Sequence, residues 1–378
     1  MAISTTDYEA YRPLLRTLAY RMLGSVAEAE DIVQDALADY YLRTTAAALE
    51  APAERSCVKS PAAVKHEKAY LIRMVTNRCI NLKQSARVRR EQYVGNWLPE
   101  PSVSYMDASS GFRDPADQIE RKESITYAML VLMEELSGVE RAVFLLRETL
   151  GYDYAEIADI VQKSETNCRK LFSRAKEKLA KKNTNLSEAD SQRRANHMGG
   201  ISNGHAARGE AGQSGSKEAG EGSGDCADKQ DSRLADERIG GFADGASQSK
   251  VTALAHTFIS ALDSGSFDQL IGLLAKDAVL TTDGGGKVNA AIFPIYGRDR
   301  VIAFYEGVLR KNPLFESYSF ADVSGQPGIV LFSGEETTNV VTFGLDEAGK
   351  IDRIFMIRNP EKLAHISKPS VTEGLKRS

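Results

Sequence analysis

Apolar residues in the first quarter of the chain recur at three- and four-residue spacing. Leu14, Leu15, Leu18 and Met22 form one such series, and Ile32, Val33, Ala36, Leu37 and Tyr40 form the next. This spacing predicts largely helical structure over residues 7–93. Pro52 and Pro61, then Pro99, Pro101 and Pro115, mark loops where helix cannot continue. A second helical block is predicted from about Asp117 to Leu179. Within it, Ser137 with Glu140 and Asp153 with Glu156 have the spacing of capping boxes and place two helix starts. From residue 183 to 249 the periodicity vanishes, and twelve glycines fall between Gly199 and Ser249. Such a segment buries too little apolar surface to offset its ordering entropy. It reads as a flexible tether, spanning on the order of 45 Å. After Lys250 the pattern changes again. Two helical runs, "VTALAHTFISALDSG" and "FDQLIGLLAKD", precede the strand-like runs "AVLTT", "IVLFSG", "TNVVTFGLD" and "KIDRIFMIR", with one more helix, "RDRVIAFYEGVLRK", among them. This order predicts an α+β cone of antiparallel strands curved around a helix-covered interior.

Charge changes the picture because it is segregated. The net charge is only -4. Yet Lys65–Glu91 and Lys163–Lys182 each carry eight Lys/Arg against two Glu, while Glu28, Glu30, Asp31, Asp35 and Asp39 make an uninterrupted acidic stripe. Two basic islands and one acidic stripe imply two polyanion contacts and one contact with a basic protein surface. The cysteines (Cys57, Cys79, Cys168 and Cys226) lack metal-binding or disulfide-framework spacing, which fits a reducing cytoplasm. The N-terminus lacks signal-peptide character, and no apolar run reaches membrane-spanning length.

Residues 153–180 carry the clearest chemistry. "YAEIADIV" is a short amphipathic helix, "QKS" breaks it, and Ser164 caps the basic helix "ETNCRKLFSRAKEKL". This is the arrangement of a helix-turn-helix, whose second helix enters the major groove. Arg169, Lys170, Ser173 and Arg174 lie on adjoining faces there and suit base edges and phosphates. The other island, "AYLIRMVTNRCINLKQSARVRREQY", mixes Asn77, Arg78, Asn81 and Lys83 with an apolar face. Basic residues along such a helix suit DNA whose bases are unstacked and captured, with the loop over residues 44–68 as the capturing segment.

Together these segments resemble bacterial sigma factors of the extracytoplasmic-function (ECF) group. "AEAEDIVQDALADYYLR" resembles the core-polymerase helix of region 2, "AYLIRMVTNRCINLKQSARVRR" its -10 helix, and "LSGVERAVFLLRETLGYDYAEIADIVQKSETNCRKLFSRAKEKL" region 4. The resemblance implies that Asp31, Gln34 and Asp35 face core RNA polymerase. It implies that Asn77, Arg78, Asn81, Lys83 and Arg87 face -10 promoter DNA, and that Arg169, Lys170, Ser173 and Arg174 face the -35 element. It further implies a cytoplasmic protein that is not an enzyme and needs no cofactor or metal.

The C-terminal half resembles the SnoaL-like branch of the nuclear-transport-factor-like cone fold. One ECF subgroup carries such a tail together with three signatures found here. These are "NWLPEP" (Asn96, Trp97, Leu98, Pro99, Glu100, Pro101), "DGGGK" (Asp283, Gly284, Gly285, Gly286, Lys287) and "NPEKL" (Asn359, Pro360, Glu361, Lys362, Leu363). In that subgroup the tail regulates sigma activity in cis. The expected domains are region 2 (1–95), a linker (96–115), region 4 (116–182), the tether (183–249) and the SnoaL-like domain (250–378). "DGGGK" is not a phosphate loop: Thr281 stands where a P-loop needs its first glycine, and Val288 follows the lysine. Its glycines permit a positive-φ turn and close backbone approach. Asp283 and Lys287 then read as rim charges, and Trp97 as the buried anchor of an extended docking strip. Three alternatives stay open for the tail: a ligand-sensing pocket taking a small molecule, the sensor of a one-component DNA-binding regulator, and an enzyme using Asp283 or His256.

Overall fold

The computed structural model describes residues 10–49, 67–91, 93–105, 125–198, 245–311, 315–370 and 372–374. Three helices open the chain: α1 (Arg12–Leu23), α2 (Val26–Leu49) and α3 (Glu67–Glu91). Gly24, at φ 72°, ends α1 by returning its N–H to the Tyr20 carbonyl. The predicted apolar stripes meet: Leu15, Leu18 and Met22 share one core with Val33, Ala36, Leu71, Ile72 and Val75. The expected capturing loop falls mostly on residues 50–66, outside the described residues.

The second block comprises α4 (Tyr127–Leu132), a 3₁₀ turn (Met133–Glu135), α5 (Gly138–Glu148), α6 (Tyr154–Val161) and α7 (Glu165–Met198). Both predicted capping boxes form, at Ser137/Glu140 and Asp153/Glu156. Gln162, at φ 56°, turns the chain between α6 and α7. Helix α7 runs to Met198, past residue 183 where the tether was expected to begin. Residues 183–198 are polar but hold no glycine or proline, so nothing in them breaks the helical backbone. The glycine-rich segment itself, 199–244, lies outside the described residues.

The C-terminal domain begins with α8 (Gly245–Ser264) and α9 (Phe267–Leu273), then β2 (Leu274–Asp283), β3 (Ile295–Tyr296) and α10 (Arg298–Lys311). It continues through β4 (Ser317–Val323), β5 (Gln326–Ser333), β6 (Glu336–Leu345), β7 (Ile351–Ile357), the single turn α11 (Pro360–Leu363) and β8 (Glu373–Gly374). With β1 (Val103–Tyr105) included, the sheet order is β1-β4-β5-β6-β7-β2-β3, with β8 on β4. Strand β1 comes from the linker more than two hundred residues upstream and pairs antiparallel with β4, Val103 opposite Val323. The expectation of antiparallel strands fails at one place. β2 runs parallel to β7, because the chain leaves β2 through β3 and α10 and returns only after the β4–β7 meander.

Both faces of this sheet are covered. Ile329, Leu331, Val341, Phe343, Ile354 and Met356 pack inward on Phe258, Leu262 and Tyr305 of α8 and α10. Their alternate neighbours Val330, Phe332, Val340, Phe355 and Ile357 belong to the same core as the N-terminal helices. Tyr127 of α4 meets Phe355 at 5.6 Å between ring centroids. Burial on both sides is why "IVLF" and "IFMI" are unbroken apolar runs, where a strand with one wet face would alternate.

Candidate interdomain clamp and nucleic-acid interface

The three short signatures converge on one buried carboxylate. β2 ends at Asp283, and Gly285 and Gly286, at φ 60° and 71°, fold the following turn back over it. Asp283 is fully buried, so the expected rim charge is instead the centre of the contact. It can be buried because every lone-pair direction is answered. Tyr93 Oη donates to its Oδ1 at 2.6 Å and Gly285 N–H at 3.1 Å. Leu98 N–H donates to Oδ2 at 2.9 Å and Lys362 Nζ at 2.7 Å. Lys362 is buried too, and also donates to the Leu98 carbonyl. Its ammonium stands over Trp97 at 4.2 Å and Tyr93 at 5.0 Å from the ring centroids. Asn359 caps α11 through Glu361 N–H and donates to Tyr93 Oη at 2.8 Å. Burial, then the adjoining Asp283 carboxylate, holds the Tyr93 phenol well above the usual tyrosine range. Lys287 remains on the rim and pairs with Glu361. Leu98, 1 % exposed, is the buried anchor; Trp97 is only half-buried and serves as a lid on Lys362.

The same strip reaches in the other direction. Glu100 accepts the Val26 N–H at 2.6 Å and the Ser25 hydroxyl at 3.1 Å, and its own N–H donates to Gly24 O at 2.8 Å. It therefore caps α2 from outside the helix, where a carboxylate also meets the positive end of the helix dipole. Tyr20 Oη donates to Glu100 O and lies 2.7 Å from Ser324 Oγ in the β4–β5 turn. Pro99 and Pro101 are buried, their carbonyls accepting from Tyr127 Oη and facing His365. Six consecutive residues thus touch α1, α2, α4 and the C-terminal domain. His256, by contrast, is exposed and stacks on Phe320. Asp283 is sealed beneath Leu98, so the two candidate acid–base groups have separate settings.

On α2, Asp31, Gln34 and Asp35 are exposed, and the same stripe continues through Ala38 to Tyr41 and Leu42, 44 % and 63 % exposed. Among the described side chains of the expected set on α3, only Asn81 is openly exposed. Asn77 donates to Ile160 O of α6 at 3.0 Å, Arg78 pairs with Asp39, and Lys83 is buried against Glu134 at 3.1 Å. Lys83 thus departs from the expected DNA-facing position. α3 packs against α5, with Gly138 against the Ile80 backbone, and this packing brings the lysine to the Glu134 carboxylate of the second helical block. Fully buried Arg141 joins the same seam, donating to Arg21 O at 2.7 Å and pairing with Glu134. The Arg87 side chain lies outside the described residues.

On α7, Cys168, Ala175 and Leu179 face inward, while Arg169, Lys170, Ser173 and Arg174 are exposed. The Arg169 guanidinium lies 4.5 Å from the Tyr154 ring centroid, with Glu165 at 3.5 Å. The helix therefore presents one continuous polar and basic face. Sequence reasoning gave no part in these contacts to Tyr93, Tyr20 or Ser324, and no place on the exposed α2 stripe to Tyr41 and Leu42. The last two were readable, because they continue Asp31–Gln34–Asp35 at helical spacing; the others carry no local signal.

Residues 7–43 match the family Sigma-70 region 2, and residues 127–179 match Sigma-70, region 4. These two modules in this order define a promoter-specificity subunit of bacterial RNA polymerase. The chain is 27 % identical over 329 residues to the ECF RNA polymerase sigma factor SigJ of Mycobacterium tuberculosis, covering 86 % of this chain and 80 % of that one. It is 31 % identical over 174 residues to the probable ECF RNA polymerase sigma factor SigI of the same species, spanning about half of that protein (52 %). The crystal structure of SigJ has the same fold, with a TM-score of 0.59 and 24 % identity over 96 % of this chain and 98 % of that one. This protein is an ECF sigma factor that carries a C-terminal sheet domain. Among the described residues, no helix is long and apolar enough to cross a membrane.

Proposed function

We propose that the C-terminal domain governs this sigma factor in cis by gripping the linker between regions 2 and 4. The observation that carries the reading is the buried Asp283–Lys362 pair closed over the backbone of Leu98. The linker then sets how regions 2 and 4 sit. Asp31, Gln34 and Asp35, with Tyr41 and Leu42, form the surface offered to core polymerase. Asn81 lies on the single-strand-binding face of α3, and Arg169, Lys170, Ser173 and Arg174 read the -35 element. Asn77 and Lys83 are held against region 4, so full engagement of -10 DNA requires the two regions to part. The two promoter elements lie about 25 base pairs apart, on the order of 85 Å at 3.4 Å per base pair. A chain whose regions 2 and 4 are joined by 3 Å hydrogen bonds is therefore in its closed arrangement.

The test is in vitro transcription with core polymerase, comparing the full chain with truncations after residue 249 and before Asn359. The expected result is polymerase binding by all three proteins and a large change in promoter output on truncation. Equal output from all three would remove the regulatory role. Absence of polymerase binding would remove the assignment of α2.

A further inference from the structure

One exposed apolar surface lies outside the clamp. The turn after Asp283 leads into Val288–Gly297, ten residues without a single charge. Ile292 and Phe293 at its crest are 59 % and 78 % exposed, and Phe293 is the most exposed of the large apolar side chains described. Val94, 60 % exposed, stands beside them: the neighbouring Gly95 would place a Cβ 3.8 Å from the Ile292 backbone. The crest is not slack. Thr282 Oγ1 accepts the Ala291 N–H at 2.8 Å and donates to Ala291 O at 3.1 Å, and Asn96 donates to the same carbonyl at 3.4 Å. Arg358 reaches Asn289 O from beneath. An aromatic ring held out to water by a fixed backbone has already lost the freedom that binding would otherwise cost.

What would cover it follows from size and setting. Phe293, Ile292 and Val94 together expose roughly 350 Å², against about 800 Å² that each partner buries in an ordinary protein–protein contact. Three side chains are too few for a protein footprint, whereas one ring matches one nucleobase. Along the chain, Val94 follows the end of α3 by three residues, and the sequence of that helix's last turns contains Arg87, Arg89 and Arg90. Close to this turn, Lys287 pairs with Glu361 and the Arg358 guanidinium donates to Asn289 O. An aromatic platform beside a basic helix is how proteins hold unpaired strands, and apolar wedges of this kind keep base steps apart.

We propose that Phe293 and Ile292, with Val94, form an apolar wedge on which an unpaired promoter base stacks. The C-terminal domain would then touch the melted strand directly, alongside α3. This rests on α3 being the single-strand-binding helix, and the experiment separates the two. Full-length protein is titrated with oligo-dT and oligo-dA strands, each carrying one 2-aminopurine, and with a duplex control. Phe293→Ala is expected to weaken single-strand binding by about 5- to 150-fold and to abolish the change in 2-aminopurine emission. Phe293→Trp is expected to retain binding, and duplex and core-polymerase binding are expected to stay unchanged in both variants. Unaltered single-strand affinity in Phe293→Ala, with Asn81→Ala weakened, overturns the wedge alone. Unaltered affinity in both variants overturns the assignment of α3 as well. A loss confined to core-polymerase binding, or a change in oligomeric state, identifies a protein surface instead and likewise overturns the proposal.

Discussion

Replacing Lys362 by methionine isolates the electrostatic centre of the clamp. Methionine keeps most of the side-chain length and fills the space under Trp97, so the perturbation is chiefly the loss of charge. Wild-type Lys362 pairs with a fully buried carboxylate at 2.7 Å, donates to the Leu98 carbonyl, and lies against two aromatic faces. Without it, Asp283 keeps donors from Tyr93, Leu98 and Gly285 but has no countercharge. Removing one partner of a buried pair costs about 3–5 kcal/mol, and that figure includes the lost cation–π contacts of about 0.5–2 kcal/mol. The structure supplies its own probe, since Trp97 is the only tryptophan in the chain. Urea titration followed by Trp97 emission should show a clamp transition moved down by about 2 M, for a slope near 2 kcal/mol/M. The double variant Lys362→Met/Asp283→Asn, which removes the orphaned charge, should recover at least about half of the loss. A shift in Lys362→Met corresponding to under about 1 kcal/mol, with unchanged emission, would refute the claim that this pair holds the linker.

Gly285→Ala should loosen the same contact by about 1–3 kcal/mol, because φ is 60° there and the added Cβ would come 2.7 Å from Asn359 Cγ; Trp97 emission and transcription both report it, and nucleotide binding is expected in neither protein. Glu100→Ala should cost about 1 kcal/mol and raise amide exchange at Val26 and Ala27, the first turn of α2, while leaving the Asp283 contacts intact. Tyr93 has a raised folded-state pKa, so the stability it contributes is fully present below the ordinary tyrosine value of about 10 and is lost as pH rises through the folded value. The clamp should therefore weaken in strong alkali, and Tyr93→Phe should remove that dependence in a pH series of Trp97 emission. Arg174→Ala should weaken binding to -35 duplex DNA by about 1–3 kcal/mol with α2-dependent polymerase binding retained, measured by titrating each partner separately.

The modules and their order were legible in the sequence because they rest on local rules. Helical spacing placed α1, α2, α5 and α6. Capping boxes at Ser137 and Asp153 fixed two helix starts that the structure reproduces hydrogen bond for hydrogen bond. The basic face of α7 and the acidic face of α2 followed from spacing alone. The strands β2, β5, β6 and β7 were visible as apolar runs, but β1 and β4 were not. β1 is three residues whose partner lies more than two hundred positions away, and β4, "SYSFADV", is too polar to stand out.

The three signatures are readable in the sequence, and Lys287 lies on the rim as expected, but Asp283 does not. Asp283 looked like a surface charge because a turn of glycines usually lies in water. Only tertiary structure brings Leu98, Tyr93 and Lys362 to its two oxygens and makes burial tolerable. Likewise, Lys83 looks like every other basic residue on α3 until region 4 supplies Glu134. Local pattern determines which elements form and which faces are charged, since those depend on neighbours three or four residues away. Which charges end in water and which in a sealed pair depends on contacts between segments 51 to 266 residues apart. No periodicity carries that information, so the fold alone decided it.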